Sequence, residues 1–207
     1  MLISFEGGEG AGKTTLINHL YDKLIQSGKK AIKTIAPGGT EAGALIRQIL
    51  LDKKEIPLCY RAELLLFLAD RSQHVEEVIA PALQSQTVVL CDRFNDSTVA
   101  YQGVRGFDES WLRTLCAFAT NNIQPDITFY LDLDPQKGLH RVKNRTQDRI
   151  EAEALSFHQK IREAYLRIAK EEPARFHILS ADKTPQDVFL EALKILNSYG
   201  LTGREVS

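Results

Sequence analysis

Residues 7–15 read Gly7-Gly8-Glu9-Gly10-Ala11-Gly12-Lys13-Thr14-Thr15 and fit the pattern G-x-x-x-x-G-K-[ST] in full. Glycines let a backbone turn its N–H groups inward, forming a nest for phosphate oxygens at the start of a helix. Lys13 then reaches the β- and γ-phosphates of a bound triphosphate, and the Thr14 hydroxyl is placed to ligate Mg²⁺. The whole stretch, from Gly7 to Thr15, is a candidate loop for binding a nucleoside triphosphate. Far along the chain, the apolar run 87–91 leads directly into Asp92 and Arg93. An acid at a strand end facing a phosphate loop holds Mg²⁺, and an arginine beside it grips a second phosphate. Taken alone, the pair also reads as a surface salt bridge. Two phosphate centres favour transfer between nucleotides over hydrolysis. The DxxG and N/T-K-x-D signatures of a guanine-nucleotide switch are not found, and no strand ends in the acidic pair of a water-activating ATPase.

The elements that must position these groups alternate in type. Short β-rich runs at 2–6, 31–35, 87–91, 127–132 and 176–180 read as buried strands. Helix-like stretches fall near 13–27, 41–51, 60–84, 108–121, 135–144, 153–171 and 185–198. This alternation implies βαβ units and a parallel sheet covered on both faces, with ligands at the carboxyl ends of the strands. The 207 residues suit one domain spanning 1–207. The segment 142–154, rich in charge and poor in bulky apolar residues, reads either as a solvated loop or as a mobile lid.

Composition narrows the partners. Net charge is −1, so no global positive field points to nucleic acid, and an anionic ligand must be caught by local arginines and amides. Cys59, Cys91 and Cys116 are scattered and imply neither a disulfide framework nor a CxxC metal site. No signal-like N-terminus occurs and no apolar run nears ~18 residues, so the expectation is a cytoplasmic protein without a membrane partner.

With these motifs in view, the chain resembles the bacterial thymidylate kinases over nearly its whole length. The resemblance is carried, in order, by FEGGEGAGKTT, PGGT at 37–40, AELLLFLADRSQHVEEVIAPAL at 62–83, DRFNDSTVAYQG at 92–103, PDITFYLDLDP at 125–135 and DRIE at 148–151. It implies a P-loop NTPase fold of the nucleoside monophosphate kinase type: a three-layer α/β fold with a five-stranded parallel sheet and a short lid. It also implies transfer of the γ-phosphoryl group of ATP to dTMP with Mg²⁺, usually by a homodimer.

Residue by residue, the resemblance implies that Phe67 stacks on thymine and Arg71 donates to O4. The two stand four apart on one predicted helix, and a guanidinium only donates, so it favours a keto oxygen over the amino group of cytosine. Thr98 and Gln102, also four apart, match partners for N3–H and O2, and Tyr101 the ring that crowds the sugar 2′ position. Arg47 and Arg93 are expected on the dTMP phosphate with Ser97, Glu9 near the acceptor 3′-OH, and Pro37 along the pocket wall. Lys13, Arg93, Arg149 and Glu9 are the expected catalytic set, with Thr14 and Asp92 for the metal. Many bacterial members read Arg-Glu-Pro-Gly-Gly where this chain has Ile35-Ala36-Pro37-Gly38-Gly39, so no contact is carried onto positions 35 and 36.

Where some members place an arginine after the loop carboxylate, this chain has Gly10, and the resemblance then implies an arginine supplied from the lid. Arg149 matches best, Arg145 is the second candidate, and Gly10→Arg is expected to restore part of the loss if Arg149 is removed. A kinase for another nucleoside monophosphate, such as dUMP or UMP, is the same-fold alternative. A nucleotide-gated interaction protein is the alternative of another class. Helix 60–84 buries an apolar stripe either in the core or against a second subunit.

Overall fold

Strand β1 (Leu2–Glu6) is buried along its whole length, and its alternation divides the core in two. In the computed structural model, which describes residues 1–51, 57–143 and 148–201, Ile3 and Phe5 pack into a cluster with helices α1 (Lys13–Gln26) and α9 (Pro185–Ser198). Leu2 faces the other side, against Val75 and Ile79. Ser4 and Glu6 follow Leu2 by the period of two. The strands β1, β2 (Ala31–Ile35), β3 (Val88–Asp92), β4 (Ile127–Asp132) and β5 (Phe176–Ser180) form one parallel sheet in the order β2-β3-β1-β4-β5. β1 pairs with both β3 and β4, so the phosphate loop that follows it opens at the centre of the sheet's carboxyl edge.

The remaining helices are α2 (Glu41–Leu51), α3 (Tyr60–His74), α4 (Ala80–Gln84), α5 (Asn95–Val104), α6 (Glu109–Ala119), α7 (Pro135–Arg141) and α8 (Leu155–Glu171). The expected helix over 60–84 is interrupted by a π-helical turn at Val75–Ile79, where the Ala80 N–H bonds back to Val75 O. Pro81 follows at once and has no N–H to continue the regular ladder, so the wider turn absorbs the mismatch. Helix α5 went unread because Asn95-Asp96-Ser97-Thr98 and Gly103 are poor helix formers. Packing enforces it: residues 96–100 and Gln102 are all buried. Asp108, Asp134 and Thr184 cap the N-termini of α6, α7 and α9 by accepting backbone N–H bonds.

Candidate active site

The loop between β1 and α1 turns through residues that tolerate positive φ. Gly10 sits at φ +66° and Gly12 at φ +93°, the latter as N-cap of α1. Gly10 has a second reason to be glycine: a Cβ there would lie 2.4 Å from the Gly138 carbonyl oxygen of α7. The expectation that an arginine at position 10 substitutes for a lid arginine is therefore corrected, since the loop and α7 meet backbone to backbone. Lys13 is buried, and its Nζ donates to Gly7 O and Gly8 O, each at 3.1 Å. Burial pulls its pKa down, with a further push from the Arg93 charge. Glu9 to Thr15 line a cavity of about 570 Å³, which runs from this loop to β3, α3 and α5.

Asp92 and Arg93, at the end of β3, line the same cavity as the loop. Arg93 adopts φ +71°, an uncommon backbone for a residue with a side chain. Its guanidinium donates to Glu9 Oε1 at 2.7 Å and lies 3.4 Å from Ser97 Oγ. The turn is held from beneath by Glu6, whose carboxyl accepts the Phe94 N–H at 2.7 Å, the Ser97 hydroxyl and the Tyr165 hydroxyl at 3.0 Å. Burial, aided by Asp96, pushes Glu6 up to about 7. The sequence reading missed Glu6 and Tyr165; the sign was a carboxylate ending a strand read as buried.

At the far end, Phe67, Arg71, Thr98, Tyr101 and Gln102 all line the same cavity. Arg71 is buried; it donates from Nη1 to Arg93 O at 3.2 Å and stacks on Phe94, and its Nε has no partner among the described residues. Gln102 is buried and donates from Nε2 to Glu63 Oε1 at 2.9 Å, leaving its Oε1 without a partner among the described residues. Pro37 and Arg47 also line the cavity, and Arg47 Nη1 donates to Pro37 O at 2.7 Å. Helix α3 holds the Pro37-Gly38-Gly39 loop. Asp70 accepts the Gly38 N–H at 2.8 Å, and the His74 ring leaves no room for a side chain at Gly39. Burial lowers His74 to about 4, so its ring is neutral where it meets Thr34 Oγ1.

The lid segment differs from expectation. Arg145 lies outside the described residues. Arg149 does not line the cavity; Nη2 donates to Glu63 Oε2 at 2.6 Å, Nε to Leu50 O at 3.0 Å, and its backbone N–H to Leu51 O. This lid residue therefore points at α2 and α3 and away from the phosphate loop. Asp148, Ile150 and Glu151 line the cavity instead. Glu151 is buried and hydrogen-bonded to Glu9, and burial with that contact pushes it up to about 7. The arginine that reaches the phosphate loop from this side is Arg141, which donates to Gly10 O and Ala181 O. It had no motif to announce it, standing among ordinary charged residues at the end of α7.

A family model described as thymidylate kinase matches residues 5–191. The chain belongs to the thymidylate kinase family. It is 46% identical to the thymidylate kinase of Desulfovibrio desulfuricans over 208 aligned positions, covering 96% of each chain. The thymidylate kinase of Magnetococcus marinus is 49% identical over 90% of each chain. A crystal structure of thymidylate kinase from Ehrlichia chaffeensis superposes with a TM-score of 0.77 at 33% identity, covering 95% of this chain and 98% of that one. As in that thymidylate kinase, the sheet is that of a P-loop NTPase, the fold expected from the loop and the strand alternation.

Proposed function

We propose that the chain transfers the γ-phosphoryl group of ATP to dTMP, giving ADP and dTDP. The observation that carries this reading is the polarity of two buried side chains at the acceptor end of the cavity. Arg71 only donates, and Gln102 offers its amide oxygen. A thymine edge answers both, with an accepting O4 and a donating N3–H. Cytosine presents the reverse pattern, an amino group and an accepting N3.

Within this reading Phe67 stacks on the base and Thr98 meets its O2 side. Tyr101 crowds the sugar 2′ position and Glu9 stands near the 3′-OH. Arg47, Arg93 and Ser97 hold the acceptor phosphate, while Pro37 lines the wall. The donor phosphates take the loop N–H groups and Lys13, with Arg141 flanking the loop. An acceptor phosphate oxygen attacks Pγ, and the bond from Pγ to the ADP oxygen breaks. That oxygen is already anionic, so no general base is required and the protein acts by positioning and charge. Arg149 is given no role at the phosphates, because Glu63 and Leu50 hold its guanidinium.

The residues also fit Mg²⁺. Among the described residues no three His, Cys, Asp or Glu side chains cluster, but Mg²⁺ typically takes one or two protein ligands and completes its shell with phosphates and water. Thr14 and Asp92, both lining the cavity, would hold it. When bound, it offsets charge on the donor phosphates. We further propose that 142–154 serve as the lid, that the chain is one domain, and that it works in the cytoplasm as a homodimer. Among the described residues no helix is long and apolar enough to cross a membrane.

Coupled ADP release with dTMP, dUMP, UMP, dCMP, AMP and GMP tests the function. The expected result is the highest kcat/KM for dTMP. A preference for UMP or dCMP would transfer the reading to another nucleotide kinase, and turnover with none of them would end it.

A further inference from the structure

Glu63 is one of the most deeply buried charged side chains in the protein, with 1% of its surface exposed. It does not itself line the cavity, yet three side chains converge on it. Oε1 accepts Gln102 Nε2 at 2.9 Å and lies 3.5 Å from Arg105 Nε, while Oε2 accepts Arg149 Nη2 at 2.6 Å. Arg105 is itself fixed, clasped between the Tyr60 and Phe157 rings and paired with Glu153 at 2.7 Å. The carboxylate therefore cannot swing away from Gln102.

We propose that Glu63 is a specificity-determining positioning residue: by accepting only, it locks the Gln102 amide with nitrogen inward and oxygen toward the acceptor base. A primary amide has nearly equal shape in its two orientations, so on its own Gln102 offers either a donor or an acceptor to a ligand. A carboxylate flanked by two guanidinium groups removes that freedom, because turning the amide over would set its oxygen against a carboxylate oxygen. The orphaned Gln102 Oε1 is the consequence, a buried acceptor waiting for a donor. Thymine recognition thus depends on a residue that does not touch the base. The same carboxylate holds the lid through Arg149, so base polarity and lid seating share one anchor. This inference rests on the proposed reading that Gln102 faces the base.

Glu63→Gln makes the prediction sharp. Arg149 has only hydrogens to give across its 2.6 Å bond, whereas Arg105 Nε stands 3.5 Å away, so the new amide turns its oxygen to Arg149 and its nitrogen to Gln102. Gln102 then turns over and presents its own nitrogen to the base, which opposes N3–H of thymine and suits N3 of cytosine. The preference for dTMP over dCMP, as a ratio of kcat/KM values, is expected to fall by about tenfold or more. In a Gln102→Leu background the same substitution should change that ratio by less than about twofold, because the amide it acts through is gone. Glu63→Asp, which keeps an acceptor-only partner, should preserve the ratio within about threefold even at reduced turnover, and it serves if Glu63→Gln does not fold. An unchanged ratio in folded Glu63→Gln, or an equal shift with and without Gln102, overturns the proposal while leaving the pocket assignment standing. Gln102→Leu with unaltered KM for dTMP overturns both, since it removes Gln102 from the pocket.

Discussion

Arg71 and Glu6 show how much of the site rests on single buried ionisable groups. Arg71 has no carboxylate within ion-pair distance among the described residues; one backbone carbonyl and the Phe94 face hold it, and its Nε is left over. A ligand acceptor is the missing partner. A charge-assisted hydrogen bond of this kind contributes roughly 1.5–3 kcal/mol, so Arg71→Ala is expected to lower kcat/KM for dTMP by about 10- to 150-fold. KM for ATP should stay near wild type, and unchanged dTMP kinetics would remove Arg71 from the pocket. Glu6 makes a prediction about pH. Its folded pKa is raised to about 7 by burial and Asp96, with Arg93, Ser97 and Phe94 opposing. Tyr165, Lys13 and Cys91 also feel its charge. A raised carboxyl pKa means the folded state holds a proton that the unfolded chain releases. Its stabilising contribution is therefore full below the ordinary carboxylate range and is lost as pH rises through about 7. Calorimetry between pH 5 and 8 should show the wild type losing stability relative to Glu6→Gln, which keeps an acceptor for Phe94 but carries no titrating proton. Parallel pH profiles for the two proteins would refute it.

At the scale of elements, legibility in the sequence followed how local the determining interaction is. The phosphate loop, the five strands and helices such as α2 and α9 were legible because glycine placement, β-branched runs and amphipathic spacing are written in contiguous residues. Asp92, Arg93, Phe67, Arg71, Thr98, Tyr101 and Gln102 line one cavity; the strand end pointed to the first two, the resemblance supplied the others, and the i, i+4 spacing of Phe67 with Arg71 and Thr98 with Gln102 agrees with a shared face. What failed was tertiary. Helix α5 is set by burial against α6 and α8 in spite of its composition, and the close approach of Gly10 to Gly138 joins segments far apart in the chain. The direction of Arg149 was likewise illegible, because its partners Glu63 and Leu50 lie on other helices. That correction changes the kinetic expectation. An arginine given to the transition state is worth ~10³–10⁵ in kcat, whereas a latch between lid and helix α3 governs how often the lid is seated. Arg149→Ala is expected to keep more than about a tenth of wild-type kcat, to raise KM for both substrates, and to speed hydrogen exchange over 148–154. A loss of ~10³ in kcat with unchanged exchange would return Arg149 to the phosphates.

Considered as a whole, the molecule shows apolar side chains that its own core does not use. Helices α2, α3 and α6 are neighbours, α3 packing against each of the other two. Each exposes large apolar residues: Leu45 and Ile49 on α2, Leu65 on α3, Trp111 and Phe118 on α6. Phe118 is 87% exposed and Leu65 63%. Single exposed apolar residues are ordinary; on three adjacent helices they offer the surface on which the proposed homodimer would form. Helix α3 also carries Phe67, Asp70, Arg71 and His74 on its inner side, so a partner seated on its outer side would brace the helix that positions the base and the Pro37 loop. Coverage by a second copy requires a two-fold contact in which the same helices meet themselves. That arrangement turns one substitution into two, so Leu65→Glu places like charges on both sides of one interface. The expected result in sedimentation velocity is a wild-type species at twice the 23.2 kDa chain mass and a Leu65→Glu species at the chain mass. The variant should stay folded, because Leu65 is solvent-facing within the protomer, while KM for dTMP rises as α3 loses its brace. A wild type that sediments at the chain mass across micromolar concentrations would remove the dimer from this account.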